Sequence, residues 1–522
     1  MKGSYKEYKN LNLTNIAKEV RKYWEDNDVF QKSLDNRKDG PAFVFYEGPP
    51  SANGTPGIHH VMARTIKDIF CRYQTLKGKK VSRKAGWDTH GLPVELGVEK
   101  KLGITKEDIG VKISVDEYNK ACREEVMKYK DLWDELTRTM GYWVNLDDPY
   151  ITFTNEYIET LWYLLSVIYK KGLLYKGYTI QPYSPAAGTG LSSHELNIPG
   201  CYRDVKDLTC TALFRVKAEQ TTVKANPFGV DVPFNSIQIA AWTTTPWTLP
   251  SNTALCVGNS IDYNLVKTVN PTSGELAYFV LATPLMGAFF PSEAEKPAFE
   301  DYKVGDKKLP YEVLGTCKGK DLVGLEYEQL IPWVNPGEGA FRVIPGDYVT
   351  TEDGTGIVHI APTFGADDAK VARAAGVPGL QVVDRNGDLQ AQVDLRGRFF
   401  RVEDLDPEYA AANMAPEYAE WAGRYVKNAY DATLAEDAPT LDVDICVMLK
   451  QQNKAFRIEK HTHNYPHCWR TDKPVLYYPL NSWFIKTTAV RERMMELNEQ
   501  IMWKPESTGT GRFGKWLENI QD

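Results

Sequence analysis

The first residues that could do chemistry lie around a glycine- and proline-rich turn, GPPSANGTPG (48–57), which two histidines follow closely. Glycine lets the backbone approach a ligand, and the free N–H groups of a helix N-terminus attract phosphate. The side chains of His59 and His60 could bond phosphate oxygens and stabilise charge in a transition state. A metal site is the weaker interpretation, because adjacent histidines point in different directions on a helix. The turn therefore predicts phosphate binding.

A second candidate is the carboxylate of Asp88 in the glycine-containing segment KAGWDTHGLPVELGVEK (84–100). A carboxylate near a nucleotide-binding loop could pair with the ammonium group of a ligand. From the chemistry alone, a surface turn in which Asp88 caps a helix is the more common explanation. Both alternatives stay open for this segment.

Hydroxyl groups are concentrated in a third region, AAWTTTPWTLPSNTALCV (240–257). Three successive threonines on a strand would place hydroxyls on both faces, and Pro246 would end that strand. A threonine run by itself most often reflects β-propensity. A second segment, GTGIVHIAPTFGADD (354–368), adds an imidazole and two carboxylates.

Two weaker signals concern nucleic acid and metal. Eight basic residues and one acid lie in RTIKDIFCRYQTLKGKKVSRK (64–84). Such a segment is usually a solvated helix face and could alternatively contact nucleic-acid phosphate. Three histidines and one cysteine lie in HTHNYPHCWRTDKP (461–474), but their spacing fits no standard zinc finger and the chain has no C-x-x-C. We therefore predict no metal site.

The elements around the first turn are predicted by hydrophobic periodicity. FVFYEG (43–48) is expected to form a short buried strand, a helix should follow over 58–77, and Gly78 should end it. A second strand is expected at 79–86. Apolar side chains recur along the helix at three- and four-residue steps, at Met62, Ile66, Ile69, Phe70, Tyr73 and Leu76. Strand, turn, helix and strand indicate the beginning of a parallel α/β sheet.

Two further amphipathic helices are predicted at about 115–140 and 155–171, the second capped by Thr154 and closed by Gly172. The sequence changes character near residue 180, where turn-forming residues become frequent. Helical periodicity is then scarce until about residue 405. β-Branched runs typical of strands lie at 236–245, 278–283 and 356–362. We therefore predict a mostly β domain inserted into an α/β domain.

Composition restricts the class of protein. The chain has 522 residues, of which 43% are hydrophobic and 25% charged, as in ordinary globular proteins. This excludes a disordered or collagen-like chain, and the length predicts about three domains or a core with a large insertion. The net charge of -7 argues against general coating of nucleic acid. We expect no membrane span or signal peptide, a cytoplasmic location and eight free cysteines.

The turn with its histidines resembles the nucleotide-binding signature of class I aminoacyl-tRNA synthetases, whose usual form is His-x-Gly-His. Here the four positions read Gly57, Ile58, His59 and His60, so glycine and histidine have exchanged places while His60 keeps its position. The exchanged form is similar to that of the second, eukaryote-like type of isoleucyl enzyme in some bacteria. The segment around Asp88, Gly-Trp-Asp-x-His-Gly-Leu-Pro-x-Glu, also resembles isoleucyl members of the family.

For the first site, the resemblance implies that Gly57, His59 and His60 act on ATP. It implies that Asp88 holds the α-ammonium group of isoleucine, while Gly48 and Pro49 shape the amino-acid pocket. The substrates would be isoleucine, tRNA(Ile) and ATP with Mg²⁺, and the enzyme would be a monomer.

The threonine segment and segment 354–368 together resemble the hydrolytic editing pocket of isoleucyl, valyl and leucyl enzymes. The resemblance implies that Asp368 grips the ammonium group of a misattached amino acid and that His359 lies near the ribose. The pocket would be lined by Thr243, Thr244, Thr245 and Thr248. Some synthetases bind zinc through a C-x-x-C near the start of this insertion, but here the region reads PYSPAAG (182–188), so zinc is not expected.

The implied fold is the first half of a Rossmann-type parallel sheet, interrupted by a mostly β editing domain. Its expected parts are an N-terminal extension, the first half of the catalytic domain, the editing domain and a return to the catalytic domain, at 1–40, 41–185, 186–430 and 431–522. The sequence contains no Lys-Met-Ser-Lys-Ser loop. We therefore expect a truncated chain that aminoacylates poorly but keeps editing. A valyl or leucyl enzyme, or a binding module without catalysis, are the alternatives.

Overall fold

The protein is described here by a computed structural model that covers residues 10–48, 50–435 and 438–522. Its helices are α1 Leu13–Asp26, α2 Val29–Asp35, α3 Ile58–Leu76, α4 Leu92–Leu102, α5 Val115–Val126, α6 Lys130–Thr139, α7 Asn155–Lys170, α8 Ser193–Leu196, α9 Met286–Phe289, α10 Gly319–Leu322, α11 Ala366–Ala375, α12 Pro407–Asn413, α13 Leu441–Gln451, α14 Arg491–Glu499 and α15 Phe513–Glu518. Its strands are β1 Ala42–Tyr46, β2 Lys80–Trp87, β3 Asn145–Ile151, β4 Leu174–Ser184, β5 Thr189–Gly190, β6 Tyr202–Arg215, β7 Ile237–Thr243, β8 Ala254–Val257, β9 Asp262–Val269, β10 Leu276–Ala282, β11 Tyr311–Lys318, β12 Arg342–Pro345, β13 Ile357–Ile360, β14 Gln381–Val383, β15 Leu389–Ala391, β16 Ala455–Pro466 and β17 Leu476–Ile485.

The chain forms two compact units. One combines the described residues up to Tyr175 with Phe484–Asp522, and the other contains the described residues of Lys176–Trp483. The editing domain was predicted to end at residue 430. Helix α13 and strand β16 follow that position but belong to the second unit. The roles and boundaries assigned to the four predicted domains stay predictions.

The first unit contains a parallel three-stranded sheet in the order β1-β2-β3. Ala42 lies opposite Lys80 and Tyr46 opposite Lys84, so β1 and β2 run in the same direction. Helix α3 connects these two strands, as the strand–turn–helix–strand pattern predicted. The expected α/β class is confirmed. The strand at 43–48 is present, but it is an edge strand whose Val44 and Tyr46 are 61% and 64% exposed, so its predicted burial is wrong.

Helix α3 buries a different face from the one its periodicity indicated. Met62, Ile66, Ile69, Phe70, Tyr73 and Leu76 are all exposed. The buried residues are Arg64, Cys71 and Thr75. The buried face is held by polar contacts to β2, since Arg83 donates to the Thr75 hydroxyl over 3.0 Å. Hydrophobic periodicity predicted the helix correctly but not its orientation.

The helix predicted over 115–140 is broken into α5 and α6. Tyr129 lies at the break, and its backbone N–H donates to the Ala52 carbonyl over 3.0 Å. That bond to the glycine-rich turn replaces an intrahelical one, and α6 starts afresh at Lys130. Because the break is fixed by a residue distant in sequence, local periodicity could not reveal it.

The second unit is built on a nine-stranded mixed sheet. Strands β11, β9, β10, β7, β13, β8 and β12 are neighbours in that order, while β6 pairs with both β7 and β16. Strand β7 is central, because it also pairs in parallel with β10 and β13. Buried side chains from these strands form the largest apolar core, which includes Leu255, Val280 and Phe214. The predicted mostly β character of this region agrees with the observed sheet.

Membrane and disulfide features can be stated for the described chain. None of the helices formed by the described residues has the length and apolar character needed to cross a bilayer. All eight cysteines are free thiols, and seven of them are buried.

Candidate functional site

The glycine-rich turn leads into α3, whose first turn is organised by two predicted residues. Gly57 precedes the helix in an extended conformation, and its N–H donates to His60 Nδ1 over 2.9 Å. Because Nδ1 accepts this bond, the proton of the neutral imidazole lies on Nε2, where it can be donated to a ligand. Burial, with smaller contributions from His59 and Arg64, lowers the pKa of His60 and favours the neutral ring.

The exchanged positions of glycine and histidine fit each other sterically. A Cβ atom on Gly57 would lie only 2.8 Å from His59 Cε1. The ring centroids of His59 and His60 are 3.8 Å apart, so the His59 ring is confined between Gly57 and His60. A side chain at position 57 would therefore require the His59 ring to move.

A cavity of about 400 Å³ opens beside this helix start, and Gly48 and His60 form part of its wall. Pro49 lies outside the described residues. The wall also contains Glu47, which is 3% exposed and whose Oε1 lies 2.6 Å from Lys67 Nζ. The hydroxyl of Tyr142 donates to the other oxygen of Glu47. The cavity thus has a fixed acidic residue and a free imidazole N–H in its wall.

Asp88 follows β2, and its side chain is exposed. Its backbone N–H donates to the Pro50 carbonyl over 3.1 Å, and Ser51 Oγ donates to the Asp88 carbonyl over 3.0 Å. These bonds join the predicted amino-acid-binding segment to the glycine-rich turn. The alternative in which Asp88 caps a helix is wrong, because Gly91, with φ of 121°, precedes α4.

The threonine segment forms a hydroxyl cluster in the second unit. Thr243 is the last residue of β7, so the expectation that the whole threonine run lies on a strand is wrong. The chain turns at this point, and the Thr245 N–H donates to Thr243 Oγ1 over 3.1 Å. Thr248 Oγ1 donates to the Thr245 carbonyl over 2.8 Å and lies 3.4 Å from Thr245 Oγ1. Thr244 is half-buried within this turn.

The cluster is completed by a residue more than a hundred positions away. Pairing of β13 with β7 places Val358 opposite Trp242, and the next residue, His359, brings Nε2 to 3.0 Å from Thr248 Oγ1. Since the Thr248 hydroxyl donates to a carbonyl, its oxygen can accept the His359 Nε2 proton. Burial lowers the pKa of His359 to about 4, so the ring is neutral. Its Nδ1 has no hydrogen-bond partner within the described part of the chain.

Asp368 is the third residue of α11, in the first turn after the loop that follows β13. Its Oδ2 accepts the Ala361 N–H over 2.8 Å, which ties the carboxylate to the strand end that carries His359. Burial raises the pKa of Asp368 to about 6. The structure thus gathers Thr243, Thr245, Thr248 and His359 directly, and connects Asp368 to them through the β13 backbone.

The whole chain is similar to known proteins. The family model described as tRNA synthetases class I (I, L, M and V) matches residues 19–522. The chain belongs to this family. It is 64% identical to an isoleucine--tRNA ligase of Bacteroides fragilis over all of its length, and 62% identical to one of Porphyromonas gingivalis. A relative of the same name from Clostridium novyi is 41% identical over 98% of the chain. The chain spans about 45% of the length of the first two relatives and 42% of the third.

In this class I synthetase chain, a buried ion-pair network that the sequence did not predict supports the threonine turn. Asp442 is 2% exposed, and its Oδ1 accepts the Trp247 N–H over 2.8 Å, within the turn that carries Thr248. Lys427 Nζ lies 3.9 Å from Asp442 Oδ2 and 2.9 Å from Asp207 Oδ2. Burial raises the pKa of Asp442 to about 6 although Lys427 opposes the shift. Asp442 is the second residue of α13 and lies 195 positions after Trp247, so local sequence patterns could not reveal the contact.

The basic segment of the synthetase, 64–84, is partly internal. Arg83 is 3% exposed and lies 3.1 Å from Asp68 Oδ1, and Arg72 lies 2.6 Å from Asp68 Oδ2. Arg64 is also buried. The expectation of a solvated face is therefore wrong for these three arginines, because their charges are directed into the unit.

No group of three or more His, Cys, Asp or Glu side chains among the described residues could hold a metal ion. The histidines of segment 461–474 are instead spread along β16 and the turn after it, where His463 Nε2 lies 3.2 Å from Asp207 Oδ2. The predicted lack of zinc stays a prediction.

Proposed function

We propose that this chain is the N-terminal part of an isoleucine-tRNA ligase and that its second unit carries the editing site. The whole enzyme would activate isoleucine with ATP, transfer it to tRNA(Ile) and hydrolyse tRNA(Ile) that carries valine by mistake. The observation that carries the editing proposal is the contact between Thr248 Oγ1 and His359 Nε2, which joins two predicted segments 111 positions apart at 3.0 Å. The similarity to isoleucine--tRNA ligases along the full chain supports isoleucine as the amino acid that is activated.

In the activation step, a carboxylate oxygen of isoleucine attacks the α-phosphorus of ATP, and pyrophosphate leaves. The residues would position the two reactants and stabilise charge on phosphate oxygens, which is where this reaction gains most. His60 offers its Nε2–H for that purpose, with Gly57 and His59 fixing its orientation. Gly48, Pro49 and Asp88 would hold isoleucine, with Asp88 paired to its ammonium group. Mg²⁺ would arrive with ATP, bound mainly by the phosphates.

In the editing step, water attacks the carbonyl carbon of the valyl ester, and the bond from that carbon to the ribose oxygen breaks. Valine and free tRNA are the products. The neutral His359 imidazole is suited to hydrogen bonding near the ribose, and the hydroxyls of Thr243, Thr244, Thr245 and Thr248 would line the pocket. The Asp368 carboxylate would pair with the valine ammonium group.

A second site is required because isoleucine and valine differ by one methylene group. An apolar pocket discriminates such a difference by only ~1–3 kcal/mol, and the isoleucyl enzymes are themselves the usual illustration of this limit. A second, smaller pocket that hydrolyses valyl products overcomes this limit.

A valyl or leucyl enzyme is the alternative within the family, and a tRNA-binding module without hydrolysis is the alternative outside enzymes. We further propose that the enzyme is a monomer, that it acts in the cytoplasm and that this part of it binds no zinc.

The test is deacylation of tRNA(Ile) charged with valine, run beside the same tRNA charged with isoleucine. Selective release of valine by the 522-residue chain is the expected result. Binding of tRNA without release of either amino acid would favour the binding module, and selective release of threonine from tRNA(Val) would favour the valyl alternative. Amino-acid-dependent exchange between ATP and pyrophosphate would then identify the activated amino acid in the longer enzyme.

A further inference from the structure

A buried arginine in the wall of the first cavity has no hydrogen-bond partner for part of its guanidinium. Arg64 is 6% exposed and lines the same cavity as His60, one helical turn further along α3. Its Nε and Nη1 make no hydrogen bond to any residue that the structure describes. Burying a cation without hydrogen bonds costs several kcal/mol. Such a cost points to a ligand that supplies the missing acceptors.

The surroundings of Arg64 place it beside His60. Its guanidinium carbon lies 5.0 Å from the ring centroid of Tyr142 and 5.8 Å from that of Trp133. The Trp133 ring in turn lies 4.7 Å from the His60 ring, and its Nε1 donates to the Gly54 carbonyl over 2.9 Å. One indole therefore supports both the imidazole and the guanidinium next to the glycine-rich turn.

The carboxylates near Arg64 form their ion pairs with lysines and not with Arg64. Glu47 pairs with Lys67 and accepts the Tyr142 hydroxyl. Asp134 Oδ2 lies 2.5 Å from Lys130 Nζ, and its Oδ1 is buried without a hydrogen-bond partner among the described residues. Both carboxylates favour the charged guanidinium electrostatically, but neither fills its hydrogen-bonding positions. Arg64 thus lines the cavity while its buried Nε and Nη1 have no acceptor among the described residues.

We propose that Arg64 binds phosphate oxygens of the nucleotide, together with the Nε2–H of His60. A guanidinium fork matches the spacing of phosphate oxygens and stays charged when buried. A side chain on a helix leans toward the N-terminus, so Arg64 points back toward the first turn of α3, where the helix itself favours negative charge. This inference rests on the proposed function in that a nucleoside triphosphate is the substrate of this cavity.

The experiment compares three variants of the 522-residue chain, namely Arg64→Met, Arg64→Lys and, as a control, Lys77→Met. Lys77 is an exposed cation at the end of the same helix and outside the cavity. Affinities for ATP, inorganic pyrophosphate and isoleucine are measured by titration calorimetry, and thermal unfolding is followed without ligand. We expect Arg64→Met to weaken ATP and pyrophosphate binding by at least about tenfold. Arg64→Lys should have a smaller effect, and Lys77→Met none.

The unfolding temperature separates a ligand-binding role from a structural one. Because two nitrogens of the ligand-free guanidinium are buried without hydrogen bonds to described residues, Arg64→Met should leave the unfolding temperature unchanged or raise it. Unchanged ATP affinity with a lower unfolding temperature would overturn the proposal, as would a loss confined to isoleucine binding or a wild-type chain that binds neither ATP nor pyrophosphate. If Arg64→Met does not fold, Arg64→Lys decides, since unchanged ATP affinity in that variant also overturns it. Deacylation of valyl-tRNA(Ile) reports on the proposed function separately.

Discussion

The two candidate sites differ in how much of their polar chemistry is satisfied within the protein. In the second unit, Thr248 and His359 are 6% and 8% exposed and bond to each other, and of the His359 ring only Nδ1 lacks a partner among the described residues. In the first unit, Asp88 is exposed and Arg64 is buried with unused donors. The threonine–histidine site is therefore held together by contacts within the protein. The cavity beside α3 instead contains a charged side chain whose hydrogen-bonding positions are partly unfilled.

The two candidate sites also obtain their rigidity from different elements. A central strand, β7, and its neighbour β13 fix the hydroxyl cluster and His359 by backbone pairing. The first cavity lies beside an edge strand and the helix α3, whose apolar positions are exposed. We therefore expect the second site to keep its geometry in this chain and to be sensitive to changes in its buried supports.

The largest effect is expected from Asp442→Ala. The change leaves the Trp247 N–H without its acceptor and Lys427 with one carboxylate fewer, and removing one partner of a buried ion pair typically costs ~3–5 kcal/mol. We expect the free energy of unfolding to fall by about 3 kcal/mol in urea denaturation. Asp442→Asn, which keeps an oxygen acceptor, should cost less.

Asp444→Ala is the matched control for that prediction. Asp444 lies on the same helix, but its pair with Arg424 is about 40% exposed, with side-chain exposures of 42% and 37%. Exposed pairs contribute about 0–1 kcal/mol. Equal losses of stability in Asp442→Ala and Asp444→Ala would remove the distinction between buried and exposed supports of this unit.

The next effect concerns Asp368→Ala and editing. If the carboxylate pairs with the ammonium group of valine, its removal should slow deacylation of valyl-tRNA(Ile) by about a hundredfold. Asp367→Ala, at the neighbouring exposed position of the same helix, should change the rate little. A normal rate in Asp368→Ala would refute the assigned role.

The pH dependence should follow the same carboxylate. Burial raises the pKa of Asp368 to about 6, so its charge is lost as the pH falls through that value. We expect the deacylation rate to fall about tenfold between pH 7 and pH 5. The stability linked to Asp368 has the opposite sign: it is greatest below the ordinary pKa near 4 and decreases as the pH rises through 6. The deacylation rate is measured at each pH by quenching samples at successive times. A rate that does not change between pH 5 and pH 7 would contradict the prediction.

The smallest effect is expected from a pair of buried threonines. Thr248→Val removes the hydroxyl that bonds His359 and the Thr245 carbonyl, and should lower the free energy of unfolding by about 1 kcal/mol. Thr253 is fully buried, and its hydroxyl has no partner in the described chain. Thr253→Val should therefore be neutral or stabilising in the same urea denaturation. The reverse ranking would show that the Thr248 contacts contribute nothing.

The predicted elements show where local reasoning succeeds and where it fails. Helix α3 and strands β1 and β2 follow from periodicity and turn chemistry within about 45 residues. The break between α5 and α6 does not, because the Tyr129 N–H bonds to Ala52, far away in sequence. The strand predicted for the threonine run was also wrong beyond its first threonine. Strand β7 ends at Thr243, and the hydroxyls of Thr245 and Thr248 face each other in the turn that follows.

The candidate residues could be found in the sequence because their motifs are contiguous and chemically distinctive. The sequence alone singled out the glycine-rich turn, the threonine segment and the segment with His359 and Asp368 as candidate sites, and it predicted the α/β class. Only the tertiary structure decided that Thr248 meets His359 across 111 positions, that Asp442 supports Trp247 across 195, and that Arg64 is buried with free donors. Short-range patterns record how the backbone of a segment is shaped, whereas burial and long-range pairing arise only when separate segments pack together and desolvate each other.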